Sequence, residues 1–277
     1  MRKAALATFS SFDWLNGFIL CCQIRFPGHL PKSMLQYPSE VKIKMYSFNS
    51  KVRYSEVGED KKLSLNGIIN YFQDCSTFQS EELQVGVSVL EKLHRVWVLS
   101  SWQIVVERYP DLCEEITIST WPYYFQSFCG YRNFVMKDQK GRMLAYANTL
   151  WSFLDTDTGR PVRVPEEIEK VYILEEKLDM NYASRKVPMP KEGEQKEPFP
   201  VQKHHLDTNH HVNNGQYIQM AREYIPEDFP IRQMRAEYKK SALLGDMIYP
   251  VVQKEDNRYM TALCDELGRP YAVVELS

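Results

Sequence analysis

The sequence predicts an α+β fold in which two fused copies of one layout each wrap an antiparallel sheet around a helix. The order of one amphipathic helix followed by several strands occurs twice. The hairpin sequence Asp138-Gln139-Lys140-Gly141-Arg142 has a counterpart in Asp265-Glu266-Leu267-Gly268-Arg269. A stretch dense in Pro and charge, roughly residues 155–200, lies between the copies and is typical of a surface linker, with one short helix at about residues 166–170.

The first copy is predicted to open with a strand over residues 48–54, and a helix follows from about Ser64, a favourable N-cap residue. The apolar side chains of this helix recur with helical spacing, at Leu65, Ile68, Ile69, Phe72 and Cys75. The strands that follow are rich in β-branched and aromatic residues and are predicted over residues 96–108, 115–121, 131–136 and 144–154.

The second copy repeats that order, with a strand over residues 201–205 and a helix from about Asn213. Asn66-Gly67 near the first helix start has a counterpart in Asn214-Gly215 near the second. Pro250 marks a bulge or an edge position in one of the strands. The predicted strands cover residues 234–238, 247–252, 258–264 and 271–276.

Bulk composition indicates a globular protein, with 44% hydrophobic and 25% charged residues among 277. The net charge of −2 gives no reason to expect a nucleic-acid partner or a stable membrane association. No apolar run approaches the length of about 20 residues that a spanning helix needs. The six cysteines form no CxxC pair and no regular framework, which is typical of reduced thiols in an intracellular protein.

Four segments follow from this layout. Residues 1–44 form an N-terminal extension whose only hydrophobic burst, residues 14–22, is short and interrupted, so it makes neither a convincing signal peptide nor a convincing transit peptide. We therefore expect the native start at Met45 and a cytoplasmic location. The other segments are a first repeat over residues 45–160, a linker over 161–199 and a second repeat over 200–277.

Polar residues that could take part in catalysis cluster just before the second helix, where Asp207, Asn209 and His211 occupy alternate positions. Alternate side chains of an extended segment point the same way, so we expect all three to face one cleft. Backbone N–H groups at the following helix start, near Asn213 and Asn214, are expected to be free to donate to a developing oxyanion, helped by the helix dipole. Taken singly, these residues are also ordinary turn formers and caps.

The run Asp207-Thr208-Asn209-His210-His211-Val212-Asn213-Asn214-Gly215-Gln216-Tyr217-Ile218 resembles the signature Asp-x-Asn-x-His-Val-Asn-Asn-x-x-Tyr-Ile of plant and bacterial fatty acyl–acyl-carrier-protein (acyl-ACP) thioesterases. Trp97-Val98-Leu99-Ser100 and Glu237-Tyr238-Lys239-Lys240 are similar to further family segments. The resemblance, from about Met45 to the C-terminus, implies a double hotdog fold and cofactor-free hydrolysis of acyl-ACP to free fatty acid in fatty acid biosynthesis. It implies that Asp207 and His211 activate the attack and that Asn209 positions it.

One position departs from the family pattern. The family usually carries a Glu where this chain has Ser241, and some relatives carry a Cys where it has Ala242. A serine hydroxyl can orient a water but cannot act as a general base at neutral pH. Either Asp207 acts alone, or a nearby carboxylate such as Glu237 or Asp246 substitutes.

Substrate contacts are expected in two places. The first repeat is expected to bind the acyl chain, with Ile68, Ile69 and Phe72 as tunnel candidates, although each could equally be plain core. Acyl-carrier protein is acidic, so its docking requires a basic patch. The candidates for that patch are Arg185, Lys186, Arg232, Arg235, Lys239 and Lys240.

Several alternatives stay open. The same fold and donors would serve an acyl-CoA thioesterase. A hotdog hydro-lyase is a second alternative, but its chemistry gives no reason for the Asp-x-Asn-x-His pattern. The third is a non-catalytic acyl-binding protein, which only Ser241 makes plausible. No metal is expected, because neighbouring histidines such as His204 and His205 would point to opposite faces of a strand. The expected partners are acyl-ACP and, as one alternative for the oligomeric state, a second copy of the chain in a homodimer.

Overall fold

The computed structural model describes residues 44–277, so the expected N-terminal extension, apart from Lys44, lies outside the described residues. The first helix begins where predicted, because Ser64 caps it by accepting a hydrogen bond from the Gly67 N–H at 3.0 Å. The elements of the first half are β1 (Tyr46–Lys51), α1 (Leu65–Glu82), α2 (Val87–Lys92), β2 (Arg95–Val106), β3 (Glu115–Gln126), β4 (Cys129–Asp138) and β5 (Met143–Asp155).

The second half follows the same order after the linker. Its helix is capped by Asn213, whose Oδ1 accepts from the Gly215 N–H at 2.8 Å. The linker and second half contain α3 (Glu166–Glu169), β6 (Glu194–Gln195), β7 (Phe199–Pro200), α4 (Asn214–Arg222), β8 (Gln233–Tyr238), β9 (Met247–Glu255), β10 (Arg258–Cys264) and β11 (Pro270–Leu276).

The strands within residues 44–277 all join one antiparallel sheet. Its order is β1-β3-β4-β5-β2-β8-β11-β10-β9-β6, with β7 also paired to β9. The first five strands belong to the first half and the rest to the linker and second half, so the two halves meet where β2 pairs with β8. Read outward from that junction, β2-β5-β4-β3-β1 matches β8-β11-β10-β9-β7, which is the duplication that the sequence predicted.

The core of the first half lies between α1 and the inner face of the sheet. Ile68, Ile69 and Phe72 are each 0% exposed. The Phe72 ring lies 6.2 Å from the Trp102 ring in β2 and 5.3 Å from the Phe134 ring in β4, measured between centroids. These aromatic contacts fix α1 across the strands of its own repeat.

An aspartate side chain makes the same set of hydrogen bonds in each of the two equivalent hairpins. Asp138 Oδ1 accepts from the N–H groups of residues 140 and 142, and Asp265 Oδ1 accepts from those of residues 267 and 269. The other carboxylate oxygen binds Nε of Arg142 or Arg269. The intervening glycines have φ angles of +75° and +73°, which a residue with a Cβ rarely adopts. The Asp-x-x-Gly-Arg pattern is therefore the sequence of a turn.

The linker crosses the face of the sheet opposite to α1 and is held there by side chains from the strands. Trp121 Nε1 donates to the Glu176 carbonyl oxygen at 2.9 Å. Gln103 donates to the Asn181 carbonyl oxygen and accepts from the Ala183 N–H. These contacts satisfy buried polar groups of the sheet, so the linker is part of the packed structure.

Two sequence predictions differ from the structure, and two short elements were not predicted. The strand expected over residues 201–205 is wrong, because β7 ends at Pro200 and Lys203–His205 form a 3₁₀ turn in which His205 Nδ1 accepts from the Gln202 N–H at 3.0 Å. The first strand ends at Lys51, and Tyr54–Glu56 form another 3₁₀ turn. Neither α2 nor β6 was expected, because both are too short to give a periodic signal.

Candidate active site

The segment before α4 is a tight turn. Asp207 Oδ1 accepts from the backbone N–H groups of Asn209 at 2.8 Å and His211 at 3.2 Å. The Asp207 N–H donates to the His211 carbonyl oxygen at 2.8 Å, and His210 has a φ of +60°. The expectation of an extended segment is wrong, because an aspartate that bonds its own following N–H groups favours a turn.

This turn changes which side chains come together. Leu206 and Val212 pair at its base, so Asp207 and His211 lie opposite each other on its two arms. Asn209 is left at the tip, where it is exposed, as is the His211 side chain, whereas Asp207 is half-buried. Asp207 and His211 are thus neighbours across the turn, not successive residues on one face of a strand.

A second loop, residues 241–246, lies against this turn. The Val212 N–H donates to the Ala242 carbonyl oxygen at 3.0 Å, and His211 pairs with Leu243. Ser241, separated from the end of β8 by Lys239 and Lys240, begins the loop that contacts the His211 arm, and it is exposed. The position at which the resemblance expects a Glu lies beside the turn, but it carries only a hydroxyl.

Glu237 and Asp246, suggested as substitutes for the missing carboxylate, are both engaged elsewhere. Glu237 lies on the sheet face opposite to α1, where Oε2 accepts from the Val187 N–H of the linker and Oε1 pairs with Lys239 at 2.9 Å. Asp246 Oδ2 accepts from the Leu243 N–H at 2.9 Å within the 241–246 loop. Glu237 cannot replace the family Glu, and Asp246 serves first as a turn former.

The start of α4 offers fewer free donors than expected. The Asn213 N–H donates to the His205 carbonyl oxygen at 2.8 Å, and the Gly215 N–H is taken by the Asn213 cap. The Asn214 N–H has no acceptor among residues 44–277, while the Asn214 carbonyl oxygen accepts from the Tyr238 hydroxyl at 3.0 Å. The expected pair of donors is thus reduced to one, at the positive end of the helix dipole.

Tyr217 lies beneath both loops, and its hydroxyl accepts from the Ala242 N–H at 2.9 Å. The side chain is buried, and this burial raises the pKa of the phenol well above its usual value, with the nearby carboxylates of Asp246 and Asp207 adding to the effect. Tyr217 therefore stays a neutral phenol that fixes the position of Ala242.

Two family models match the chain. The N-terminal domain model of acyl-ACP thioesterases covers residues 43–172, and the C-terminal domain model covers residues 189–268. The chain belongs to the acyl-ACP thioesterase family.

Relatives within the acyl-ACP thioesterase family are distant in sequence. Oleoyl-acyl carrier protein thioesterase 2 of Arabidopsis thaliana, a chloroplastic protein, is 26% identical over 237 residues, which are 76% of this chain and 64% of that protein. The palmitoyl-acyl carrier protein thioesterase of the same plant is 23% identical over 69% of this chain and 51% of its own length. The chain thus spans less than two thirds of the length of these curated relatives.

Solved structures share the fold. An acyl-ACP thioesterase from Bacteroides thetaiotaomicron superposes with a TM-score of 0.76 at 19% identity, covering 84% of this chain and 97% of that one. The 12:0-ACP thioesterase of Umbellularia californica gives 0.75 at 19% identity, over 86% and 98%. The predicted α+β double hotdog fold is confirmed.

The basic patch expected for an acyl-ACP thioesterase is only partly available. Lys239 pairs with Glu237, Lys240 with Asp265 at 2.5 Å, and Arg235 with Glu275 at 2.9 Å. These three side chains are already neutralised by partners. Arg185, Lys186 and Arg232 are exposed and form no ion pair with any residue in 44–277.

The paired histidines lie differently from the expectation. The rings of His204 and His205 are 4.1 Å apart between centroids, so the prediction that they point to opposite faces is wrong. Partial burial, and next the neighbouring His204, lower the pKa of His205, so its ring is neutral and accepts from the Gln202 N–H. Across residues 44–277, no three His, Cys, Asp or Glu side chains are grouped so that they could hold a metal ion.

Two residues of this region carried no functional prediction. Tyr217 belongs to the family signature, but helical periodicity placed it only on an apolar face. Asn66 was noted only because Asn66-Gly67 resembles Asn214-Gly215. The repeat itself was the available signal, because equivalent helix starts of a duplicated fold can meet at one site.

Within residues 44–277, no helix is both long and apolar enough to cross a membrane.

Proposed function

We propose that the chain hydrolyses fatty acyl-ACP thioesters to free fatty acid and carrier protein, as part of fatty acid biosynthesis. The observation that carries the proposal is the pairing of Asp207 with His211 across a turn that leads directly into the unpartnered Asn214 N–H of α4. A base and an oxyanion donor on adjoining segments are what acyl transfer to water requires. The names of the curated relatives support the substrate class.

The residues then have distinct roles in the proposed reaction. The His211 imidazole takes the proton of a water as its oxygen attacks the thioester carbonyl carbon, and the half-buried Asp207 carboxylate stabilises the imidazolium. Asn209 and the Ser241 hydroxyl orient the water, with Ser241 in place of the family Glu. The Asn214 N–H donates to the carbonyl oxygen as it gains negative charge. The C–S bond then breaks, and the leaving thiolate takes the proton from the His211 imidazolium.

The two repeats divide the work in this proposal. Residues 45–160 bind the acyl chain, residues 200–277 carry the chemistry, and residues 161–199 link them. The acyl chain lies along α1, where Ile68, Ile69 and Phe72 are fully buried against the sheet. The acidic carrier protein docks on the unpaired cations Arg185, Lys186 and Arg232.

The test is release of free fatty acid from a panel of acyl-ACP and acyl-CoA thioesters by the full chain. We expect release from acyl-ACP and its loss in His211→Ala. The control is His210→Asn, which should change release little, because asparagine tolerates the positive φ of position 210. Faster turnover of acyl-CoA would favour the acyl-CoA thioesterase alternative. Acyl binding without release from any thioester would overturn the proposal in favour of a non-catalytic acyl-binding protein.

We propose a cytoplasmic location and no membrane or nucleic-acid partner. The four described cysteines, Cys75, Cys113, Cys129 and Cys264, are free thiols, which is consistent with a reducing compartment. Fluorescence microscopy of a tagged chain tests the location. The homodimer stays an open prediction, which light scattering of the purified protein decides.

A further inference from the structure

Asn66, in the first turn of α1, has a buried polar atom that nothing in the described chain explains. Its Oδ1 is out of contact with solvent and accepts no hydrogen bond from any residue in 44–277. Buried side-chain oxygens of native proteins nearly always have a donor, so an orphan of this kind calls for an explanation. A buried acceptor close to a reaction site is explained when the substrate supplies the donor.

The Asn66 oxygen belongs to the first repeat but lies against the first turn of the second repeat's helix. A Cβ added at Gly215 would lie 3.0 Å from Asn66 Oδ1 and 3.3 Å from Asn213 Oδ1. Any larger residue at position 215 would displace one of these oxygens, so Gly215 permits the approach of α1 to α4. Asn214, whose N–H is the unpartnered donor, directly precedes this glycine, at one Cα–Cα spacing of about 3.8 Å.

The site thus presents one donor and one acceptor on two different repeats. A thioester carried on a phosphopantetheine arm needs both, because its carbonyl oxygen accepts hydrogen bonds and the first amide of the arm, two carbons from the sulfur, donates one. The Asn214 N–H suits the carbonyl oxygen, and Asn66 Oδ1 suits the amide N–H. Contacts on both sides of the C–S bond would hold the reacting carbon against the Asp207–His211 turn.

We propose that Asn66 binds the substrate by accepting a hydrogen bond, at Oδ1, from the amide N–H of the pantetheine arm nearest the thioester sulfur. The inference rests on the proposed function and adds a residue of the first repeat to the site. The arm is common to carrier protein and coenzyme A, so the contact recognises the cysteamine amide and does not distinguish the carrier protein from the nucleotide part of coenzyme A. Asn66 therefore discriminates between thioesters with and without that amide.

The experiment compares two small substrates with the same acyl chain. One is the N-acetylcysteamine thioester, which carries the amide N–H, and the other is its S-(2-acetoxyethyl) analogue, in which an ester oxygen replaces that N–H. We expect the full chain to hydrolyse the amide substrate with a kcat/KM about tenfold higher, as the loss of one buried hydrogen bond predicts. In Asn66→Leu the ratio should fall to about one, and in Asn66→Asp, which keeps an acceptor, a preference should remain.

The outcomes separate the inference from the proposed function. If Asn66→Leu slows both substrates equally and leaves their ratio unchanged, Asn66 is merely structural and the inference is overturned while the thioesterase activity stands. If the full chain hydrolyses no thioester, the proposed function fails, and calorimetry with a non-hydrolysable acyl-pantetheine thioether still decides about Asn66. Equal affinity of the full chain and Asn66→Leu for that thioether would overturn the inference, and weaker binding by the variant would support it.

Acyl-ACP and acyl-CoA form the remaining arms of the test. Both carry the same amide, so Asn66→Leu should lower kcat/KM by a similar factor, about tenfold, for each. A loss confined to acyl-ACP would assign Asn66 to docking of the carrier protein and would contradict a contact with the arm.

Discussion

The hydroxyl of Tyr217 accepts a hydrogen bond from the backbone N–H of Ala242 at 2.9 Å, and this contact ties α4 to the loop that follows β8. The carbonyl oxygen of Ala242 in turn accepts from the Val212 N–H at 3.0 Å. Ala242 is thus held on both sides by the segment that carries the family signature. These two bonds hold Ser241, the residue before Ala242, against the segment that contains His211.

Tyr217→Phe should therefore destabilise the protein and reduce its activity. The variant leaves the buried Ala242 N–H without an acceptor, which costs about 1–3 kcal/mol of unfolding free energy. Urea denaturation measures the loss, and kcat reports the displacement of the loop. Tyr224→Phe is the matched control, since Tyr224 is on the adjoining turn and its hydroxyl has no hydrogen-bond partner in residues 44–277. Equal stability of the two variants would contradict this role for Tyr217.

Asp207→Asn should separate turn formation from chemistry. The amide oxygen of the asparagine can still accept from the N–H groups of Asn209 and His211, so the turn should survive and the unfolding temperature should change little. The negative charge is lost, and kcat should fall about 100-fold or more if Asp207 stabilises the His211 imidazolium. Asp207→Ala should lose activity and stability together. Wild-type turnover by Asp207→Asn would show that Asp207 serves only as a turn former.

Ser241→Glu should raise activity. Ser241 is exposed and lies next to the loop residue that binds Val212, so a glutamate side chain fits there without displacing core. A carboxylate beside His211 supplies the general base that the family pattern contains, and we expect kcat to rise about tenfold or more. Ser241→Gln, with the same length and no charge, is the control. An equal rise in both variants, or none in either, would refute the interpretation of Ser241 as a lost base.

Acid should destabilise the protein through Asp265. Burial raises the pKa of this carboxyl, but hydrogen bonds from Lys240 and Arg269 outweigh burial and bring the pKa down to about 2, from a usual value near 4. A folded-state pKa below the unfolded one stabilises the fold above the unfolded value, here by about 2 kcal/mol. That stabilisation is lost as the pH falls from about 4 to about 2.

Denaturation curves between pH 7 and pH 2 measure this effect. Asp265→Asn should lose stability at pH 7 and show a shallower decline on acidification than the wild type. Glu266→Gln, an exposed neighbour in the same hairpin, should follow the wild-type curve. A parallel decline in Asp265→Asn and wild type would remove Asp265 from the acid response.

How far the sequence predicted the site depended on whether an interaction was local. Ser64 and Asn213 were identified as caps because a cap bonds only two or three residues ahead, and the Asp265 hairpin likewise repeats a local pattern. The failures involve partners distant in sequence. Nothing near Asn213 shows that its N–H binds His205, and nothing near Glu237 shows that it faces the linker. The Asn213–His205 bond follows from the pairing of Leu206 with Val212, and the orientation of Glu237 follows from the pairing of β8 within the sheet.

Gln103 should keep the linker closed over the sheet. Its Nε2 donates to the Asn181 carbonyl oxygen at 2.8 Å and to Gln233 Oε1 at 3.0 Å, and its Oε1 accepts from the Ala183 N–H at 2.9 Å. Gln103→Leu leaves both linker groups without partners, so the linker should open more often and trypsin should cut after Lys186 about tenfold faster or more.

Gln233→Leu is the control for this prediction, because it removes only the bond between the two glutamines and leaves both linker bonds in place. Its cleavage rate should stay near that of the wild type. If Gln233→Leu were cut as fast as Gln103→Leu, the loss would come from the packing of β2 against β8, where Val105 pairs with Gln233. Equal rates for all three proteins would mean that other strand side chains that bind the linker, among them Trp121, Arg235 and Glu237, hold it closed without Gln103.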